Sequence, residues 1–225
     1  MNNKFNALKS EENENGTEEK FKEFSPEPIL PRKKPPPVKD GDHLLEYHYT
    51  LWFSRKSPGK QSSSSVSYNS QLKCIMTFAS IEQFWLIYSH VARPHELSGH
   101  CDYHLFKDGI KPMWEDEANV KGGKWMIRLK KGLISRCWEN LILAVLGEQF
   151  IVGNEICGAV ASMRYQEDIL SLWNRTASNN EVTSKIRETL KRVLNIPQNT
   201  IMEYKAHTDS IKDNSSYRNT DVFVK

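Results

Sequence analysis

Alternation of apolar and polar residues begins near His43 and defines the first element. Tyr47, Tyr49, Leu51 and Phe53 fall on one face of an extended segment, with His48, Thr50 and Trp52 on the other. Further short runs predict strands near 72–78, 102–106, 125–130, 156–164, 169–173 and 201–206. Within 125–130 the apolar set Trp125, Ile127 and Leu129 lies opposite Met126, Arg128 and Lys130. Between the first two strands the stretch SPGKQSSSSVS breaks the pattern and reads as a loop. Three segments follow the helical period instead. The first opens on Ser80-Ile81-Glu82-Gln83, a capping box in which the hydroxyl and the Gln amide each satisfy an unpaired backbone N–H. The second spans about 135–147. The third, about 179–194, places Val182, Ile186, Leu190 and Val193 on one stripe and stops before Pro197. One-faced helices among seven or more short strands predict an α+β domain with the helices on one side of an antiparallel sheet and its other side open.

Composition then divides the chain. Its 225 residues carry a net charge of +3, which singles out no partner. Residues 1–42 hold 8 basic and 9 acidic residues, six of the ten prolines and no Trp or Tyr. Such a segment has too little apolar surface to offset its ordering entropy, so it reads as a disordered tail, and 43–225 as one folded domain. The N-terminus lacks the apolar stretch of a signal peptide, and the longest apolar run, 141–146, is far shorter than a membrane span. Cys74, Cys101, Cys137 and Cys157 are scattered without a C-x-x-C pair, as expected of reduced thiols in a cytosolic or nuclear protein.

Helix phase exposes two oddities. Ile81 and Trp85 lie roughly 70 to 110° from the core face set by Phe84, Ile87, Tyr88 and Val91. Leu143 points about 130° away from the face of Trp138, Leu141, Ile142 and Val145, among Arg136, Glu139 and Asn140. If the helices are neighbours, these residues form an apolar patch suited to a partner helix. A second constellation is Lys111-Pro112-Met113-Trp114-Glu115-Asp116, which presents an indole and a carboxylate on a loop. An indole stacks on a base, and a carboxylate accepts from guanine N1–H and the 2-amino group. A Trp capping the core beside a solvated acidic loop fits the same residues. Arg128 and Lys130 on one strand face, and Arg164 at another strand's end, can reach phosphates. No nucleophile elbow, P-loop, dinucleotide or zincin motif is present, and His100-Cys101-x-x-His104 has no local fourth metal ligand. The chain therefore reads as a binding protein, not an enzyme, with neither metal nor cofactor.

The ordered blocks Leu51-Trp52-Phe53, Ile81-Glu82-Gln83-Phe84-Trp85, Lys111 to Asp116, Gly122-Gly123-Lys124-Trp125, Leu146-Gly147-Glu148 and Cys157-Gly158-Ala159-Val160 resemble the eukaryotic initiation factor 4E family of messenger-RNA cap-binding proteins. The resemblance covers about 43–209. It implies a curved antiparallel sheet of about eight strands backed by three helices on its convex side, with 7-methylguanosine held between two aromatic rings on the concave side. Carried over, Trp114 is one ring, Glu115 reads the guanine edge and Trp173 sits beside the methyl group. Arg164, Lys124 and Arg128 meet the phosphates. Tyr68 stands where the founding class has the second ring, a Trp, and Tyr49 replaces another family Trp. This pair of changes resembles the class II, 4E homologous branch, associated with translational repression. Ile169 stands where the family has a phosphate-binding Lys, so the resemblance implies weaker cap binding than in the founding class.

The resemblance also accounts for the helix-phase oddities. The family's convex side binds proteins carrying Tyr-x-x-x-x-Leu followed by an apolar residue, repressors among them. It does so at the position of Trp85, with Ile81 and Leu143 beside it. His43 is followed here by Leu44 instead of Pro, and Glu139-Asn140 replace a Leu-Glu pair of the founding class. The implied protein is a monomeric cytoplasmic repressor that occupies capped messages without recruiting the initiation scaffold. A weak initiation factor, or a general single-strand or guanine-nucleotide binder, remains the alternative.

Overall fold

Among the described residues the period-two patterning produces eight strands: β1 Leu44–Arg55, β2 Leu72–Ser80, β3 Cys101–Lys107, β4 Gly123–Leu129, β5 Ile156–Met163, β6 Asp168–Asn174, β7 Met202–Ala206 and β8 Asp221–Phe223. This computed structural model describes residues 34–55, 71–197 and 199–223, all within the unit Arg32–Lys225. The strands form one antiparallel sheet in the order β2-β1-β3-β5-β6-β4-β7-β8. Register shifts in β1 and between β5 and β6 break strict pairing, the kind of irregularity that bends a strand and adds curvature.

Alternation sorts the side chains onto two faces as expected. Tyr49 and Leu51 of β1, Cys101, Tyr103 and Leu105 of β3, Trp125, Ile127 and Leu129 of β4, and Leu170 and Leu172 of β6 enter the main core. Helices α1 (Ile81–Tyr88), α2 (Ile134–Leu146) and α3 (Asn180–Leu194) supply its other wall through Phe84, Trp138, Leu141, Ile186 and Leu190. Burial of this one convex layer is the main source of stability, at roughly 25 cal/mol per Å² of apolar surface. The Trp125 indole N–H also donates to the Thr183 carbonyl at 2.9 Å, tying α3 to β4.

Local signals set the helix ends. Ser80 Oγ accepts from Gln83 N–H at 3.2 Å, as the capping box requires. The reciprocal bond differs: Gln83 Oε1 accepts from Ala79 N–H at 2.9 Å, one residue before the cap. Its Nε2 donates to the carbonyls of Pro36 and Pro37, so these prolines lie against α1. Asn179 caps α3 by accepting from Val182 N–H at 3.1 Å, and Asn195 ends it in the left-handed region at φ 48°.

Two features depart from the sequence reading. A fourth short helix, α4 (His207–Asp213), follows β7, so the described residues hold four α-helices where three were expected. Nor is the concave face bare. Phe106, Ile110, Cys157, Val160 and Trp173 form a second, smaller cluster there, with Trp114 and Ala118 packed against it. Every residue of β5 and of β6 is consequently buried on both faces.

Gly158 lets this second cluster form. It pairs with Phe106 across β3 and β5, and an added Cβ would lie 2.4 Å from Phe106 Cγ and 2.5 Å from the Leu105 carbonyl oxygen. Gly158→Ala is expected to destabilise the fold by about 1 to 3 kcal/mol through overpacking. Urea unfolding checks this, and a change below about 0.5 kcal/mol would show that the ring yields without cost.

Candidate functional site

A cavity of about 560 Å³ opens on the concave face. Its floor is built by alternate residues of four adjacent strands: Asp102 and His104 of β3, Val160 and Ser162 of β5, Ser171 and Trp173 of β6, and Lys124 of β4. Residues 112–115 form one wall and 214–217 another.

The 112–115 wall is fixed from behind. Asp116 accepts from Lys111 N–H and Ala118 N–H, both at 3.0 Å. Fully buried Asn119 donates to the carbonyls of Lys111 and Met113 at 2.8 Å. These bonds hold the loop that presents Trp114, whose ring is half-buried against the smaller cluster, and leave Glu115 exposed at the cavity. The Glu115 carboxylate has no hydrogen-bond partner among the described residues. Trp173 meets Phe106 edge-on, with centroids 5.3 Å apart, and His207 at 4.2 Å. Its indole N–H is buried without an acceptor.

Positive charge gathers at the base of the cavity. Lys124 is 3% exposed, and its ammonium lies 5.9, 5.7 and 5.3 Å from the ring centres of Trp114, Trp173 and Tyr217. No described carboxylate pairs with it. Burial, reinforced by nearby Lys205, pushes its pKa down to about 7. Arg164 is oriented by the carbonyls of Cys101 and Met163, by Asp102 Oδ1 at 2.7 Å and by the Tyr217 hydroxyl at 3.4 Å. Buried Lys205 is tied to Asp213 at 2.6 Å and to the Arg218 carbonyl. Burial lowers the pKa of His104 to about 4 and that of His207 to about 3, so both imidazoles are neutral at physiological pH. The arrangement offers an aromatic face, a free carboxylate and an unpaired cation to a flat, hydrogen-bonding, anionic ligand. Among the described residues no cluster of His, Cys, Asp and Glu is arranged to hold a metal.

The structure thus brings Trp114, Glu115, Lys124, Arg164 and Trp173 into one cavity, while Tyr68 lies outside the described residues. Arg128 departs from the sequence expectation. It does not line the cavity, and its guanidinium is held by Glu203 at 2.6 Å and Glu167 at 2.6 Å, which neutralise it. Ile169 is buried and brings no charge. Sequence reasoning missed Asp102, His104, Lys205 and Tyr217. Strand alternation would have placed Asp102 and His104 on the concave side, and Tyr217 is a lone aromatic in a polar stretch.

The convex side holds the other set. Ile81, Trp85 and Leu143 are each about 40% exposed, with Leu86 and Leu44 more so. Trp85 packs edge-on against Phe84 and Tyr88. Arg93 lies over the Tyr88 ring and pairs with Glu139 at 2.7 Å, bridging α1 and α2. Arg93 is thus a side-chain link between the two helices. His43 pairs with Glu82 at 2.7 Å, which raises its pKa, and Asn140 is half-buried.

Comparison with known proteins agrees with this geometry. The family model for eukaryotic initiation factor 4E matches residues 44–222. Eukaryotic translation initiation factor 4E-4 of Caenorhabditis elegans is 51% identical over 209 residues, covering 93% of this chain and 97% of that protein. Eukaryotic translation initiation factor NCBP of Arabidopsis thaliana is 47% identical over 183 residues, 81% of each. Among solved structures, C. elegans eIF4E-3 in complex with the 4E-binding protein Mextli and a cap analog superposes with a TM-score of 0.71 at 36% identity, covering 80% of this chain and 99% of that one. Ascaris suum eIF4E-3 with an m7G cap gives a TM-score of 0.71 at 36% identity, covering 81% and 98%. The chain belongs to the eukaryotic initiation factor 4E family.

Proposed function

We propose that this protein binds the 7-methylguanosine cap of messenger RNA in the concave cavity and represses translation by occupying capped messages without recruiting the initiation scaffold. The observation that carries cap binding is the convergence of Trp114, Glu115 and unpaired Lys124 on one cavity. The base stacks on Trp114, with Tyr68 as the second ring. Glu115 accepts from the guanine N1–H and 2-amino group, and Trp173 lies beside the methyl group. Lys124 and Arg164 take the phosphates, each gaining a charge-assisted bond in a poorly hydrated site. Arg128, which does not line the cavity and is paired with Glu167 and Glu203, stands outside this set. The methylated base is cationic, so stacking on an electron-rich ring adds roughly 0.5 to 2 kcal/mol over unmethylated guanine.

Repression rests on the convex surface. Exposed Trp85, Ile81 and Leu143 suit the apolar anchors of a Tyr-x-x-x-x-Leu helix. The eIF4E-3 relative was solved with a 4E-binding protein. Leu44 after His43, and Glu139 engaged by Arg93, alter the surface on which the founding class meets the scaffold. The names of the relatives, which are translation initiation factors, favour a second reading in which the protein is a weak activator. Scaffold pull-down separates the two. A cytoplasmic monomer is part of the proposal. Among the described residues no helix is long and apolar enough to cross a membrane.

Retention on 7-methyl-GTP resin is expected for the wild type, with poor elution by unmethylated GTP and loss of retention in Trp114→Ala and Tyr68→Ala. Equal elution by GTP would instead mark a general guanine-nucleotide or single-strand binder. Trp85→Ala is expected to abolish binding of a Tyr-x-x-x-x-Leu peptide and leave the resin result unchanged; an unaffected peptide would refute the convex assignment.

Lys124 adds a pH dependence whose sign is fixed. Its pKa is depressed in the free protein, and a bound phosphate restores it, so binding takes up a proton and weakens as pH rises above about 7. Lys124→Arg stays charged throughout. Between pH 6 and 8.5 the wild type is expected to lose about tenfold more 7-methyl-GTP affinity than this variant. Parallel profiles would show that Lys124 does not titrate on binding.

A further inference from the structure

We propose that His100 and Tyr165 form a stacking shelf for the base of the nucleotide that follows the cap's triphosphate. The inference rests on the cap-binding reading and extends it to the RNA beyond the cap. His100 immediately precedes β3, whose Asp102 and His104 line the cavity. Tyr165 directly follows Arg164, the guanidinium at the cavity's edge. The Cys101–Met163 pairing of β3 with β5 sets the two residues side by side where these strands end. Their rings lie 4.9 Å apart at a tilt of 50°.

Tyr165 is 73% exposed, and packing against the domain's core does not explain its ring. Arg164 lies on the cavity side of this ring pair. Arg55, at the end of β1 and paired with Cys101, donates to the carbonyl of Ser98 at 3.2 Å, in the segment that carries His100. Two aromatic rings beside two guanidiniums offer what a single strand requires, faces on which bases stack and charges that neutralise phosphates. A chain leaving the cavity past Arg164 meets Tyr165 next. Since every base has a stacking face, the shelf is indifferent to sequence and adds affinity to any capped RNA.

Fluorescence titration of the full chain with 7-methyl-GTP and with a capped tetranucleotide tests this. The wild type is expected to bind the tetranucleotide about tenfold more tightly than 7-methyl-GTP. Tyr165→Ala should remove most of that increment at unchanged 7-methyl-GTP affinity, and Tyr165→Phe, which keeps the ring, should retain it. Arg55→Ala should lower the salt slope for the tetranucleotide alone, by about one phosphate contact. An increment that survives Tyr165→Ala, or a loss shared equally by both ligands, overturns the shelf and leaves the cap reading standing. A wild type that does not bind 7-methyl-GTP overturns the cap reading itself.

Discussion

The interaction on which the site depends is the burial of one ammonium, that of Lys124, without a carboxylate partner on the concave face of the sheet. Arg164 is matched by Asp102, and Lys205 by Asp213. Lys124 has aromatic rings around it and no carboxylate. Removing an ammonium from water without a counter-ion is costly, and the depressed pKa of Lys124 expresses that cost. Two neighbouring imidazoles are kept neutral by the same burial, so they add no further repulsion. An anion entering the cavity supplies what the fold withholds from Lys124.

Such a site persists only because stability is generated elsewhere. The convex layer, with Trp138, Leu141, Ile142, Ile186 and Leu190 fully buried against the sheet, holds the larger share of the apolar core. The concave side can therefore keep groups that ordinary packing would eliminate: the acceptorless indole N–H of Trp173, the unpartnered Nδ1 of His104 and both ring nitrogens of His207. On that side Gly158 leaves room for Phe106, and Asn119 holds the loop that carries Trp114.

Most of the fold was legible in the sequence because alternation and helical phase are local. The Trp125, Ile127, Leu129 set faces the core as read, and Ile81, Trp85 and Leu143 are exposed as their phase requires. The Trp114 and Glu115 pair was legible because Pro112 and the charges after it mark a loop. Arg128 lies apart from the cavity for an instructive reason. Alternation gives the face of a strand but not the position along it, and four residues separate Arg128 from Lys124 by about 13 Å. At that end Glu167 and Glu203 await it. Lys205 and Tyr217 were invisible because their roles arise only when α4 and the following loop turn back over the cavity, a tertiary event without a local pattern.

The most direct measurement is an NMR titration of the Lys124 side chain, by its carbon and nitrogen shifts next to the amine, in the free protein and with saturating 7-methyl-GTP. The account predicts a midpoint near 7 in the free protein and a rise of at least about one pH unit on saturation. A free-protein midpoint at the ordinary lysine value, or one that the ligand leaves unmoved, would contradict it.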